Sequence, residues 1–268
     1  YENRWKKAIA SGEDDIISFG RPKTQIQFFY KEYCKFIANE IKNSFKKRKI
    51  TELNLLEIGC GRGTATIYLE KVLGLKCYGV DFSEESIKIA NKNGLKYSSK
   101  ARFLKGNIFD MQENLKKLNL QEEKFDIVIS LGVLEHIEEI DNCFAIHRML
   151  LKEGGLFLAM IVPEKNSIQT YFSSLNRFLL KMQVNKNKNE NLEYLDKQTL
   201  SKTADVYRSF EDEKFYKKKL ELNGFRRVNT IQANPLPLIR PLSKDFEELL
   251  TFLYIFLNRL HIFIFKKS

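Results

Sequence analysis

Residues 53–69 read LNLLEIGCGRGTATIYL, and the fold follows from this stretch. It opens with a short apolar run, Leu53-Asn54-Leu55-Leu56-Glu57-Ile58, long enough for one buried strand. Gly59-Cys60-Gly61-Arg62-Gly63 breaks the run, Thr64 follows as a helix N-cap, and residues 65–69 start a helix. A strand, a glycine turn and a helix N-terminus make a site for a negatively charged group. Glycines let the backbone approach a ligand closely, and free amides with the helix dipole favour an anion. The spacing is G-x-G-x-G, without the third glycine placement of the dinucleotide fingerprint. Asp81 ends the next apolar run, Lys76-Cys77-Tyr78-Gly79-Val80. It lies about twenty residues on, the distance at which such units hydrogen-bond a ribose. The glycine turn alone also fits a strand-to-helix turn with no ligand; Asp81 at the end of the next strand weighs against that.

Five segments carry a resemblance: LLEIGCGRGTATIYL, GVDFSEESIKIA, KGNIFD, FDIVISLGVLEHI and LKEGGLFLAMIVP. In this order they resemble the successive motifs of class I S-adenosylmethionine-dependent methyltransferases. The resemblance runs from residue 53 to residue 162, and more loosely to the C-terminus. Its motifs are specific for the cofactor and not for the substrate. Alternating strands and helices independently predict an α/β fold with a doubly wound, mostly parallel sheet. The resemblance implies a Rossmann-like sheet of seven strands, an N-terminal helical segment and a helical insertion after strand five. It places residues 1–268 in a single methyltransferase domain, with 1–50 as a helical cap and 163–208 as an insertion or lid.

The site residues follow from the same motifs. The resemblance implies that Glu57, Gly59, Cys60, Gly61 and Gly63 cradle the cofactor. It places Asp81 at the ribose and implies that Phe82 binds the cofactor too, with Asn107, Ile108 and Leu131 at the following strand ends. Gly59, Asp81, Asn107 and Leu131 all fall at predicted strand C-termini, where open α/β sheets bind ligands. Asn107 stands where the family usually has an acidic residue facing the adenine amino group, and its side-chain oxygen can still accept. Arg21 is a candidate for the methionine carboxylate, or is merely solvated.

His136 is the candidate general base, because it follows strand four and titrates near neutrality; anchoring the loop is the alternative role. GVLEHI is similar to the VLEH segment of ubiquinone-pathway O-methyltransferases. Members of that group have an acidic metal ligand where Gly132 stands, so Glu135 and His136 are left as two adjacent ligands, which rarely make a metal site alone. No metal is expected. His147, in mid-helix, reads as structural.

Elsewhere the periodicity predicts a helix from Thr24 with apolar residues at Ile26, Phe29, Tyr33, Phe36, Ile37, Ile41 and Phe45. Ser83 caps a second helix that Asn93-Gly94 stops. Residues 101–104 and 125–130 read as strands, 141–151 as a helix closed by Gly154-Gly155, and 156–162 as the fifth strand. Residues 167–182 read as a helix offering Tyr171, Phe172, Leu175 and Phe178 to a substrate pocket. Residues 210–224 read as a helix, 225–233 as a strand, 245–260 as an apolar helix and 261–265 as a last strand. The apolar stretch 252–265 is shorter than the roughly 20 residues needed to span a bilayer. It packs on the sheet or serves as an interfacial anchor, making peripheral membrane contact through the C-terminal helix.

The chain of 268 residues carries a net charge of +11, which suits nucleic acid, an anionic surface or an acidic substrate. Lysines are spread along the chain, so the charge also reads as a compositional bias. Four cysteines without C-x-x-C spacing fit free thiols in a reducing, cytoplasmic setting. Two main function classes stay open: methylation of a small molecule at oxygen (a quinone precursor, sugar, nucleotide-linked or lipid-like acceptor), and methylation of RNA or protein. No recognisable RNA-binding module is present, which argues against nucleic acid. A cofactor-binding protein without catalysis is the third reading.

Overall fold

The computed structural model describes residues 15–120, 124–161, 207, 209, 211–233 and 260–267. Residues 163–206, including Tyr171, Phe172, Leu175 and Phe178, and the apolar segment 245–259 lie outside them.

Helix α1, Gln25–Ser44, starts where Thr24 takes an extended conformation and its hydroxyl accepts the Gln27 amide. Its buried stripe is Phe28, Tyr33, Cys34, Ile37, Ala38, Ile41 and Phe45. Phe29 and Phe36 are only half-buried, so the seam sits slightly off the predicted face. Strand β1, Asn54–Ile58, is buried throughout. Helix α2, Thr64–Leu73, begins one residue earlier than expected. Gly63 takes the cap position with φ +76°, and no side chain caps the helix. A left-handed cap suits glycine, and Thr64 becomes the first helical residue.

Strand β2, Lys76–Asp81, leads to helix α3, Glu84–Lys96, whose cap Ser83 accepts the Ser86 amide. The expected stop at Asn93-Gly94 does not occur. Asn93 is fully buried and donates to the Arg62 carbonyl at 3.1 Å, which holds both residues in the helix. The chain turns instead at Ser98, with φ +49°. Strand β3 is Arg102–Lys105 and helix α4 is Met111–Lys117. Strand β4, Phe125–Leu131, is followed by helix α5, Ile140–Leu150, and strand β5, Leu151–Met160. Gly154-Gly155 therefore lies within β5 rather than closing the helix. Leu151 pairs with Phe125 and Leu156 with Ile127, so the intervening residues bulge out of the ladder. Helix α6 is Glu213–Leu222, and strands β6 and β7 are Phe225–Ala233 and Leu260–Lys267.

The strands form one mostly parallel sheet in the order β3-β2-β1-β4-β5-β7-β6. β1 to β5 pair in parallel; β7 pairs antiparallel with both β5 and β6. The chain runs outward from β1 to β3 and returns to β4 on the other side of β1, so the order reverses there. A crevice opens at the carboxyl ends of strands at such a point. Alternate residues fill two cores. Leu56, Ile58, Val128 and Phe157 share one cluster, and Leu55, Ile127, Ile129, Leu156 and Leu158 join α1 and α2 in the other. Among the described residues no helix is long and apolar enough to cross a membrane.

Candidate active site

A cavity of about 680 Å³ lies at the strand ends. Glu57, Gly59, Cys60, Asp81, Phe82, Asn107, Ile108, Leu131 and His136 come together on its wall. Gly61 and Gly63 shape the turn without lining the cavity, and Arg21 is exposed and absent from the described wall. Tyr30 and Tyr33 from α1, Thr64, Phe109, Val133 and Met160 also line it; the sequence marks Thr64 only as a helix cap and Tyr33 only as part of an apolar helix face, and none of the six as a site residue.

The glycine turn is held by its neighbours. The Gly59 amide donates to the Val80 carbonyl at 2.7 Å, tying the turn to β2. Gly59 has φ +76°, and a Cβ there would overlap the Val133 side chain, so both conformation and space require glycine. At Gly63 a Cβ would come within 2.8 Å of the Phe103 ring.

Asp81 is buried and fully engaged by backbone and side chain. One carboxylate oxygen accepts the Gly61 amide at 2.8 Å; the other accepts the Ser83 amide at 2.9 Å and the Ser86 hydroxyl at 2.7 Å. It thereby joins the glycine turn to the start of α3. Glu57, buried on β1, accepts the Thr66 amide at 2.9 Å and the Thr66 hydroxyl. Burial, with a smaller push from the Asp81 charge, raises its pKa to about 8 against the lowering effect of those bonds. The Thr64 hydroxyl is buried and has no hydrogen-bond partner among the described residues, though Thr64 lines the cavity.

Phe82, also on the wall, is 53% exposed. The Asn107 side-chain oxygen accepts the Phe109 amide at 3.1 Å, capping the short turn Ile108–Asp110. One lone pair of that oxygen is thus already used. His136 ends the short turn Leu134–His136 after β4. Tyr30 and Tyr33 stand with ring centroids 4.8 Å apart. Burial holds the Tyr33 phenol well above its ordinary pKa, so it stays neutral. Among the described residues no group of three or more His, Cys, Asp or Glu side chains is placed to hold a metal ion.

A family profile described as "Methyltransferase domain" matches residues 50–224. The chain belongs to this methyltransferase family. The match covers the glycine turn, all five parallel strands and α6, as expected of a class I S-adenosylmethionine-dependent enzyme. A ubiquinone biosynthesis O-methyltransferase of Pelagibacter ubique is 28% identical over 132 residues, covering 47% of this chain and 51% of that protein. A hybrid polyketide–nonribosomal peptide synthetase of Trichoderma harzianum is 29% identical over 144 residues, 53% of this chain but 3% of the synthetase. The chain thus spans about half or less of the length of these two relatives. Among solved structures, magnesium protoporphyrin IX methyltransferase of Synechocystis with bound S-adenosylhomocysteine superposes with a TM-score of 0.54. It shares 17% identity, over 99% of this chain and 94% of that one. That likeness establishes the fold.

Proposed function

We propose that this methyltransferase transfers a methyl group from S-adenosylmethionine to a hydroxyl oxygen of a small-molecule acceptor, with His136 as the base. The observation that carries this is that His136 shares one cavity wall with the glycine turn, Asp81 and Phe82. The cavity volume falls in the range of small-molecule sites, about 300–1,000 Å³. Its groups suit the cofactor: a Thr64 hydroxyl with no partner among the described residues, a buried Asp81 carboxylate that accepts hydrogen bonds, and a half-exposed Phe82 ring. Bound S-adenosylmethionine supplies an already activated methyl group.

Glu57, Gly59, Cys60, Asp81 and Phe82 would hold the cofactor, with Asn107, Ile108 and Leu131 along its other edge. Asp81 would share its carboxylate between the ribose hydroxyls and its three protein donors. Gly61 and Gly63 act through turn shape. An exposed Arg21 is a weak match for the methionine carboxylate. His136 would take the proton of the acceptor hydroxyl, a role worth typically 10²- to 10⁴-fold, and the cofactor would supply the methyl group by loss from its sulfur, leaving S-adenosylhomocysteine. Tyr30, Tyr33 and Met160 would form the acceptor side, with the expected lid at 163–208 completing it within one domain of 1–268. The name of the Pelagibacter relative favours a quinone-like acceptor among the sugar, nucleotide-linked and lipid-like alternatives. Four buried free thiols agree with a reducing, cytoplasmic compartment.

The test is S-adenosylhomocysteine release against a panel of phenols, sugars and lipid-like alcohols, with and without His136→Asn. Turnover on a hydroxyl that falls at least about tenfold in the variant supports the reading. Turnover only on RNA or protein, or none with tight cofactor binding, replaces it with one of the other two classes.

A further inference from the structure

We propose that the backbone of Tyr207 and Ser209 fixes His136 in the tautomer that leaves its Nε2 bare. Two contacts bring this short segment onto the turn after β4. The Ser209 amide donates to the Glu135 carbonyl at 2.7 Å, and the His136 Nδ1 lies 3.2 Å from the Tyr207 carbonyl. A carbonyl oxygen only accepts, so the ring nitrogen facing it must carry the proton. A neutral imidazole has one N–H, and the lone pair then resides on Nε2. Free histidine in water prefers the opposite form, so the segment reverses an intrinsic preference.

Both sides of this clamp are anchored. The His136 amide closes its own turn on the Val133 carbonyl at 2.8 Å. Ser209 is buried, and its hydroxyl accepts the Glu211 amide at 3.2 Å, steering the chain into α6. Asp212 caps that helix by accepting the Phe215 amide at 3.0 Å. Tyr216 of α6 and Leu134 of the turn are buried in the same core cluster. Tyr207 and Ser209 are positioning residues acting through their main chain. The bearing of the clamp on catalysis rests on the proposed base role of His136, because only the bare nitrogen can take a proton.

Histidine-selective ¹⁵N labelling tests this directly in the full chain, which has three histidines. Long-range couplings from the ring carbons identify the protonated nitrogen, and His136→Asn assigns the signals. At about pH 8, above the ordinary histidine pKa, His136 should show a protonated Nδ1 and a bare Nε2. Ser209→Pro, which removes the amide donor, should shift the ring towards the Nε2–H form; Ser209→Ala, which keeps the amide, should retain the Nδ1–H pattern. An Nε2–H or averaged ring in the unmodified protein overturns the assignment, as does an unshifted ring in a folded Ser209→Pro variant. If that variant does not fold, the unmodified protein and Ser209→Ala decide. A bare Nε2 together with full-rate methylation by His136→Asn would remove the base role alone and leave the clamp standing.

Discussion

Asp81 is built into the protein three times over before any ligand arrives. Its oxygens satisfy the Gly61 and Ser83 amides and the Ser86 hydroxyl. Asp81→Ala therefore strands buried donors as well as removing a ribose acceptor. Stability should fall by about 2 kcal/mol or more in urea unfolding, since unsatisfied buried groups cost about 1–3 kcal/mol each. S-adenosylhomocysteine affinity should fall at least about tenfold by titration calorimetry, matching the loss of one charge-assisted bond. A stable variant with unchanged affinity would place the ribose elsewhere.

Two buried titrating groups impose opposite pH limits. His147 donates to the Cys143 carbonyl at 2.7 Å, packs on the Phe157 ring, and burial lowers its pKa to about 4. The unfolded chain binds that proton from about pH 6.5 downward, so stability falls on acidification between about 6.5 and 4, by roughly 3 kcal/mol in all. Glu57 behaves in reverse. Its folded pKa of about 8 lies above the ordinary carboxylate value of 4.5, so its contribution is complete below about pH 4.5 and is lost as pH rises from there to 8. Between about 4.5 and 6.5 the two slopes oppose and nearly cancel, so urea midpoints should hold level there and fall from about 6.5 to 8. His147→Asn, which keeps a donor for Cys143, should extend that fall down to about pH 4.5, whereas Glu57→Gln should abolish it and leave a rise from about 4 to 6.5. Level midpoints from about 6.5 to 8 in the unmodified protein would show that the Glu57 carboxylate stays hydrated.

At the scale of elements, the glycine pair of β5 separates two demands. A Cβ on Gly155 would come within 2.8 Å of the Lys152 carbonyl, 3.0 Å of Leu151 and 3.2 Å of the Asp126 carbonyl. Gly154 has φ +69° with nothing near a Cβ. Asparagine visits that conformation readily, so Gly154→Asn should cost well under 1 kcal/mol, whereas Gly155→Val should cost about 1–3 kcal/mol through clashes. Equal thermal shifts for the two would mean that the bulge relaxes freely.

The same pair marks where sequence reading reached its limit. Gly59 to Gly63 and Asp81 were legible because the local chemistry of a strand-to-helix turn demands them. Gly154-Gly155 looks like a helix stop until the β4 pairing shows a bulge, and pairing is not local. Asn93-Gly94 misled similarly, since the bond from Asn93 to Arg62 crosses to another element. Tyr30 and Tyr33 lie on a helix whose apolar period was plain. Periodicity identifies a buried face, however, not which aromatic on its margin meets a cavity. His136 and Glu135 were found from their motif, while the carbonyl that faces the His136 ring comes from 71 residues away.

Across the whole molecule, Asp126 acts as a fastener at the end of the sheet opposite the cavity. Its fully buried side chain meets Arg48 at 2.5 Å, Lys152 at 2.9 Å and the Asn54 amide at 3.1 Å. It thus links the segment after α1, the first residue of β1 and the bulge of β5. Burial raises its pKa, but the bonds from Lys152, Asn54 and Arg48 outweigh that and keep it below the usual value. Arg48 and Lys152 are half-exposed and can turn to water, so Asp126→Ala mainly strands the Asn54 amide. A loss of about 1–3 kcal/mol is expected, with cofactor affinity nearly unchanged. An affinity drop matching the loss of stability would mean that the two ends of the sheet are mechanically coupled.

The sheet order also sets a timetable for synthesis. β7 emerges from the ribosome after β6, yet it lies between β6 and β5. Until residues 260–267 are made, the outer edge of β5 has no hydrogen-bonding neighbour and β6 has no place to dock. Strand edges left open in this way recruit other chains. The nascent protein therefore carries an open strand edge from the completion of β5 until residues 260–267 emerge, when the glycine turn and the five parallel strands are already made. Cofactor binding during that interval would stabilise the finished half of the molecule without shielding the half that is still waiting.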